Sequence, residues 1–203
     1  MKIMKVPQAA LAVVLLGGAA FSQAASVTVV AEVPASWGAV TTSESLDIPG
    51  EWTTAPSERF GSSGQARSPF EPFDGNTLDG WESIGYWSVG PSSETTEAVM
   101  TFSGERTGLS LLWGSVDSYN SIEFYKNGDV VDTVLGSSVE TLAPNGLDAA
   151  LVSISAVTFD EVHFISDTNA FEFSNVAAVP VPAAVWLFGS ALLGLAGIKR
   201  KRS

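Results

Sequence analysis

One histidine, twenty-two carboxylates and no cysteine bound the chemistry open to this chain of 203 residues. The histidine lies in Asp160-Glu161-Val162-His163-Phe164-Ile165. If Val162 and Phe164 face a core, strand alternation turns His163 and Glu161 to solvent. A Ser-His-Asp arrangement would need a presented nucleophile, and no nucleophile-elbow sequence accompanies the abundant serines. Two carboxylates about 5–10 Å apart in a cleft can hydrolyse glycosides. A chain this acidic supplies such pairs by chance, so a solvated acidic surface is the simpler reading and no catalytic residue is assigned. A surface hydrolase is the second alternative. The missing thiols remove redox chemistry, thiolate metal sites and a cysteine nucleophile.

Two binding chemistries are open. Ser121–Lys126, Asn127-Gly128 and Asp129–Leu135 read as a β-hairpin, because Asn-Gly supplies the two positive φ values of a type I′ turn. That turn pairs Lys126 with Asp129, Tyr125 with Val130, Phe124 with Val131 and Glu123 with Asp132. Phe124 and Val131 then face the core, and Glu123 and Asp132 oppose one another as like charges, a cost that a cation between them removes. Calcium takes carboxylate and carbonyl oxygens. The expected site is Glu123, Asp132 and Asp117, with Asn120 nearby. Exposed aromatic rings can also stack on sugar faces. Trp81, Tyr86, Trp87, Tyr119 and Asn120 are the candidates for carbohydrate, whereas Trp113 shares a strand face with Leu109 and Leu111 and is read as core.

The elements that would position these residues are strands. Ser26–Val33, Glu97–Phe102, Gly108–Val116, the hairpin, Ala150–Phe159, Glu161–Ile165 and Ala170–Val176 all show β-branched, aromatic or alternating patterns. Outside the two ends, no window of ten or more residues has helical periodicity. Many short strands separated by Gly, Pro, Ser and Asn predict an all-β fold, an antiparallel β-sandwich of jelly-roll type. Glu44 to Gly90 is rich in Pro and Gly but also in aromatics, which predicts an ordered, loop-heavy region packed on the sandwich, with short strands around Ser83 to Val89.

The two ends carry targeting patterns. Lys2 and Lys5 precede the apolar stretch Ala9–Ala20, and Ser22-Gln23-Ala24 puts small residues where a signal peptidase inspects them. Residues 1–24 therefore read as a signal peptide cut between Ala24 and Ala25. At the other end, Pro180-Val181-Pro182 precedes an apolar run, Ala183–Ile198, and the basic cluster Lys199-Arg200-Lys201-Arg202. Val179–Ile198 would span roughly 30 Å as a helix, about one hydrocarbon core, with the cations left on the cytoplasmic side. Three regions follow: 1–24, an exported domain at 25–178, and a C-terminal signal at 179–203. All twenty-two carboxylates fall in the exported domain against only Arg59, Arg67, Arg106 and Lys126, a net charge of −18 where the whole chain has −12. Such a field repels nucleic acid, which is excluded as a partner. Roughly 150 residues suffice for one domain with its own core and no disulfide.

The order of Pro180-Val181-Pro182, apolar helix and basic tail resembles the C-terminal sorting signal of PEP-CTERM proteins, the exosortase substrates of Gram-negative bacteria. Here Val181 stands where the family most often has glutamate. Ser68-Pro69-Phe70, Tyr86-Trp87-Ser88-Val89-Gly90, the string Trp113-Gly114-Ser115-Val116-Asp117-Ser118-Tyr119-Asn120 and Ala170–Val176 are similar to an ectodomain that recurs among such surface proteins. The resemblance implies sorting through Pro180, Val181, Pro182, Lys199, Arg200, Lys201 and Arg202. It also implies transient residence in the inner membrane and a final place at the cell surface or in the extracellular matrix. It brings a structural or adhesive role linked to exopolysaccharide and biofilm, and no enzymatic activity. A cell-surface carbohydrate-binding module is the alternative.

Overall fold

The computed structural model describes residues 24–30, 45–71, 78–142, 149–182 and 187. Nine strands account for most of them: β1 (Ser26–Val30), β2 (Glu51–Thr54), β3 (Ser57–Phe60), β4 (Gly85–Val89), β5 (Glu97–Gly114), β6 (Asn120–Lys126), β7 (Asp129–Leu135), β8 (Ala149–Ser166) and β9 (Phe171–Pro180). A 3-10 turn at Trp81–Ser83 and one short helix, α1 (Gly136–Leu142), complete them. Every pairing is antiparallel. The all-β expectation holds.

The strands order as β3-β4-β9-β5-β8-β6-β7, with β1 added to β8 and β2 to β5. What makes two facing layers of this one sheet is the length of β5 and β8, each 18 residues. The second half of β5 and the first half of β8 lie with β9, β4, β3 and β1. The first half of β5 and the second half of β8 lie with β2, β6 and β7. Register breaks between Thr101 and Gly108 in β5, and Ala156 at φ 63° in β8, mark the bend. Bulges of this kind increase local twist and turn a strand from one layer into another. In the sequence β5 reads as two elements because the polar residues 103–107 at its bend interrupt the alternation, whereas the break read in β8 falls at Asp160, four residues past its bend at Ala156.

The layers close on an aromatic core. Phe164 of β8 stacks on Phe173 of β9 with ring centroids 4.4 Å apart. Trp113 stacks on Phe171 at 4.4 Å. Trp52 from β2 lies edge-on to Trp87 of β4 and to Phe164. Leu109, Leu111 and Trp113 face this core together, as their spacing predicts, and so do Val162 and Phe164 on either side of His163. A second, smaller cluster of Phe70, Tyr86, Leu112 and Ala149, flanked by Leu78, Trp81 and Ile84, covers the opposite face of β4 and β5 at one end. The loop-rich region before β4 supplies Phe70, Leu78, Trp81 and Ile84 to it and contributes the unforeseen strands β2 and β3.

The turn at Asn127-Gly128 has the expected pair of positive φ values, 53° and 85°. Beyond Tyr125 the hairpin departs from the sequence register. Lys126 meets Asp129 and Tyr125 meets Val130, but Phe124 then meets Asp132 and Glu123 meets Thr133, with Val131 taken up in a bulge. At the far end, β9 runs past the predicted boundary at 178 through Pro180. Arg106 pairs with Pro180, and the Val181 amide donates to Glu105 O at 3.2 Å. No helix among the described residues is long and apolar enough to cross a membrane. The segments 1–23 and 183–203, apart from Leu187, lie outside the described residues.

Left-handed backbone costs an L-residue with a Cβ roughly 1–2 kcal/mol. Ala156 is exposed, so Ala156→Gly should raise stability by about 0.5–1 kcal/mol, against the usual loss of similar size for Gly in a strand interior. Denaturant midpoints of the two chains measure the sign.

Candidate functional site

The aromatic candidates for carbohydrate do not form one surface. Tyr86 and Trp87 are neighbours in β4 and point to opposite faces. The Tyr86 ring is fully buried in the smaller cluster, and its hydroxyl donates to Gly61 O at 2.8 Å. Trp87 packs on the main core and Trp81 is half-buried against the smaller cluster. Asn120 is fully buried. Its amide donates to Ala170 O at 3.2 Å and its side-chain oxygen accepts from Ser166 Oγ at 2.7 Å, so it joins two loops rather than facing a ligand. Of the five, Tyr119 alone is exposed, at 40%. Its hydroxyl bridges Asp117 Oδ2 at 2.7 Å and Asn169 O at 2.6 Å.

The calcium site is corrected by the hairpin register. With Val131 bulged out of the ladder, Glu123 and Asp132 are no longer opposed, and the repulsion that called for a cation is gone. Glu123 accepts the Tyr125 hydroxyl at 2.8 Å, which pushes that phenol up to about 12, with burial adding less. Asp132 shares the inward face of Phe124, and its carboxylate accepts from the Ala25 and Thr133 amides. Asp117 is held above the usual carboxyl range by burial, with Glu140 adding repulsion, against the Tyr119 hydrogen bond. Among the described residues, no group of three or more His, Asp or Glu could hold a metal.

His163 sits on the outer face of β8, as alternation predicts, but it is not free. Its Nδ1 lies 2.6 Å from Glu97 Oε1, its Nε2 lies 2.9 Å from Glu161 Oε1, and the Tyr125 ring stacks on it with centroids 4.1 Å apart. With both ring nitrogens against carboxylates, neither is placed to take a proton from a serine hydroxyl.

Sequence reasoning missed the most perturbed acid. Phe171 and Phe173 face the main core, so alternation points Glu172 outward. There the loop Ala66–Phe70 lies over it and leaves it with no exposed surface. Gly114, its cross-strand neighbour, admits this loop, because a Cβ there would stand 2.8 Å from Pro69 Cγ. Glu172 Oε1 accepts the Arg67 amide at 3.1 Å, and Oε2 has no hydrogen-bond partner. Burial is the main force pushing its carboxyl up to about 8. The Asp117 charge adds to it, and the Arg67 and Glu172 amides and Arg59 oppose it. The signal available was the out-of-phase apolar set Tyr86, Leu112 and Phe70, which shows that the outer face is covered at this end. Sealed under the loop, Glu172 can anchor structure but cannot touch a substrate.

No protein-family model, curated protein or solved structure matches this chain.

Of the residues expected to direct processing, Ala24 is exposed and Ala25 half-buried. Pro180 ends β9, Val181 is half-buried and Pro182 is exposed. Lys199, Arg200, Lys201 and Arg202 lie outside the described residues.

Between pH 4.5, the ordinary value for this carboxyl, and about 8, the unfolded chain has released a proton that the folded chain retains at Glu172. Stability must fall as pH rises across that window and level off above it. Glu172→Gln should remove this fall, which approaches about 1.4 kcal/mol per pH unit at its steepest. Denaturant midpoints of both chains from pH 5 to 8.5 measure it.

Proposed function

We propose that this chain is an exported protein of the cell surface or extracellular matrix of a Gram-negative bacterium. Residues 1–24 are removed by signal peptidase, and residues 179–203 form a sorting signal read by an exosortase. In this reading Ala183–Ile198 crosses the inner membrane as one helix, at least until sorting, and the acidic domain ahead of it is a jelly-roll-like sandwich. The role is structural or adhesive, in contact with exopolysaccharide, and not catalytic.

The observation that carries the reading is the order of parts at the C-terminus. β9 ends on Pro180, the first residue of the Pro-x-Pro motif, and the apolar run and basic cluster of the sequence come directly behind that motif. The charge of the domain, −18 over residues 25–178, suits solubility outside the cell and repels nucleic acid and anionic lipid. A carbohydrate-binding module has less support, since it would rest on Tyr119 and a half-buried Trp81 instead of a continuous platform of rings.

The full chain expressed in a Gram-negative host that has an exosortase should be recovered outside the inner membrane, shortened at both ends. In the same host without that enzyme it should remain in the inner membrane with residues 183–203 attached. Replacing Lys199, Arg200, Lys201 and Arg202 by Ser should impair sorting. Recovery of the intact chain from the cytosol would overturn the proposal.

A further inference from the structure

Asp132 is a carboxylate at the margin of an apolar core. The bulge at Val131 moves it from the outer face, where a regular hairpin would leave it, to the face that Phe124 and Val134 share. A charge in that position needs donors or a cation. One donor is the Thr133 amide, 2.8 Å from Oδ1. The other is the Ala25 nitrogen, 2.5 Å from Oδ2 and 107 residues away in sequence.

That nitrogen is the atom that signal-peptide removal would free. Hydrolysis of the Ala24–Ala25 bond adds water across it. Ala24 leaves with the new carboxylate, and the Ala25 nitrogen becomes an amine that takes up a proton at neutral pH. Ala24 is exposed and Ala25 is half-buried against the main core. The cut therefore falls where the chain passes from solvent into the fold. The added N–H groups of the ammonium point toward water while one keeps its place on Oδ2.

We infer that Asp132 is the docking site for the new N-terminus, and that processing before Ala25 converts a neutral amide contact into an ammonium–carboxylate ion pair. Its position gives it an effect on the fold. β1 is the outer strand on β8 in one layer and β7 the outer strand on β6 in the other. The pair clasps the two layers along one open edge, and it forms fully only in the processed chain. Charge-assisted hydrogen bonds of this type are roughly twice as strong as neutral ones. The inference rests on the proposed export, and the experiment separates the two.

The full chain is expressed in a Gram-negative host, the N-terminus of the recovered protein is read by mass spectrometry, and the folded protein is treated with an amine-acylating reagent at neutral pH. The chain should begin at Ala25. Its α-amine should react at least about tenfold more slowly than that of a short peptide with the same leading sequence, the scale of one charged hydrogen bond. Asp132→Asn, which keeps the shape and an acceptor oxygen, should restore most of the reactivity while retaining a cooperative melt. An α-amine as reactive as the free peptide overturns the inference on the wild-type chain alone, so it stays testable even where the variant does not fold. Equal reactivity in wild type and a folded variant overturns it too. Processing at another bond overturns the inference and leaves export standing. A chain retained inside the cell with residues 1–24 attached overturns both.

Discussion

The pairing of β5 with β8 is the constraint on which the rest of the described structure depends. These two strands run side by side from Glu97 opposite Ile165 to Gly114 opposite Ala149, and they bend together. A strand that stayed straight would belong to one layer and leave its apolar face open to water. Bent as a pair, they present Met100, Phe159 and Phe164 from one half against Leu111, Trp113 and Ile154 from the other, and they remain paired on both sides of the register breaks. The backbone is strained at Ala156 to achieve this, a cost that burial of the aromatic core exceeds.

Covering is uneven around this frame. Where Phe70 and Pro69 lie over β4, β5 and β9, the sheet is buried on both faces, and groups that alternation would place in water are trapped. Tyr86 gains a backbone carbonyl for its hydroxyl, whereas Glu172 gains one amide and must stay protonated through much of the neutral range. On the uncovered face of β8 and β6, the acidic residues remain at the surface and gather around His163 and Tyr125. The same strand pattern thus yields a sealed acid at one end and a solvated acidic patch at the other, according to where the loop falls.

Much of this was legible in the sequence. The Asn127-Gly128 turn, the inward set Leu109, Leu111 and Trp113, and the outward His163 between Val162 and Phe164 follow from turn chemistry and a period of two. The bulge at Val131 did not follow. Val130 and Val131 are both β-branched and apolar, so nothing local fixes which of them leaves the ladder. That single slip cost the calcium site its physical basis. Glu172 was missed for a related reason, since covering by a distant loop is not encoded in the strand that is covered. Tyr86 and Asn120 were read by residue type as ligand contacts, yet buried hydrogen bonds call for the same types.

The end of β9 has a mechanical meaning. From Leu112 to Arg106, β5 holds residues Ser174 to Pro180 in short registered stretches separated by two bulges, one between Leu112 and Ser110 and one between Gly108 and Arg106, and the Val181 amide makes the last contact. Tension along the axis of β9 from its C-terminal side would load the rungs within each registered stretch in shear, and the bulges would pass the load from one stretch to the next. Pro180, which lacks an N–H to give, marks where that grip begins to loosen.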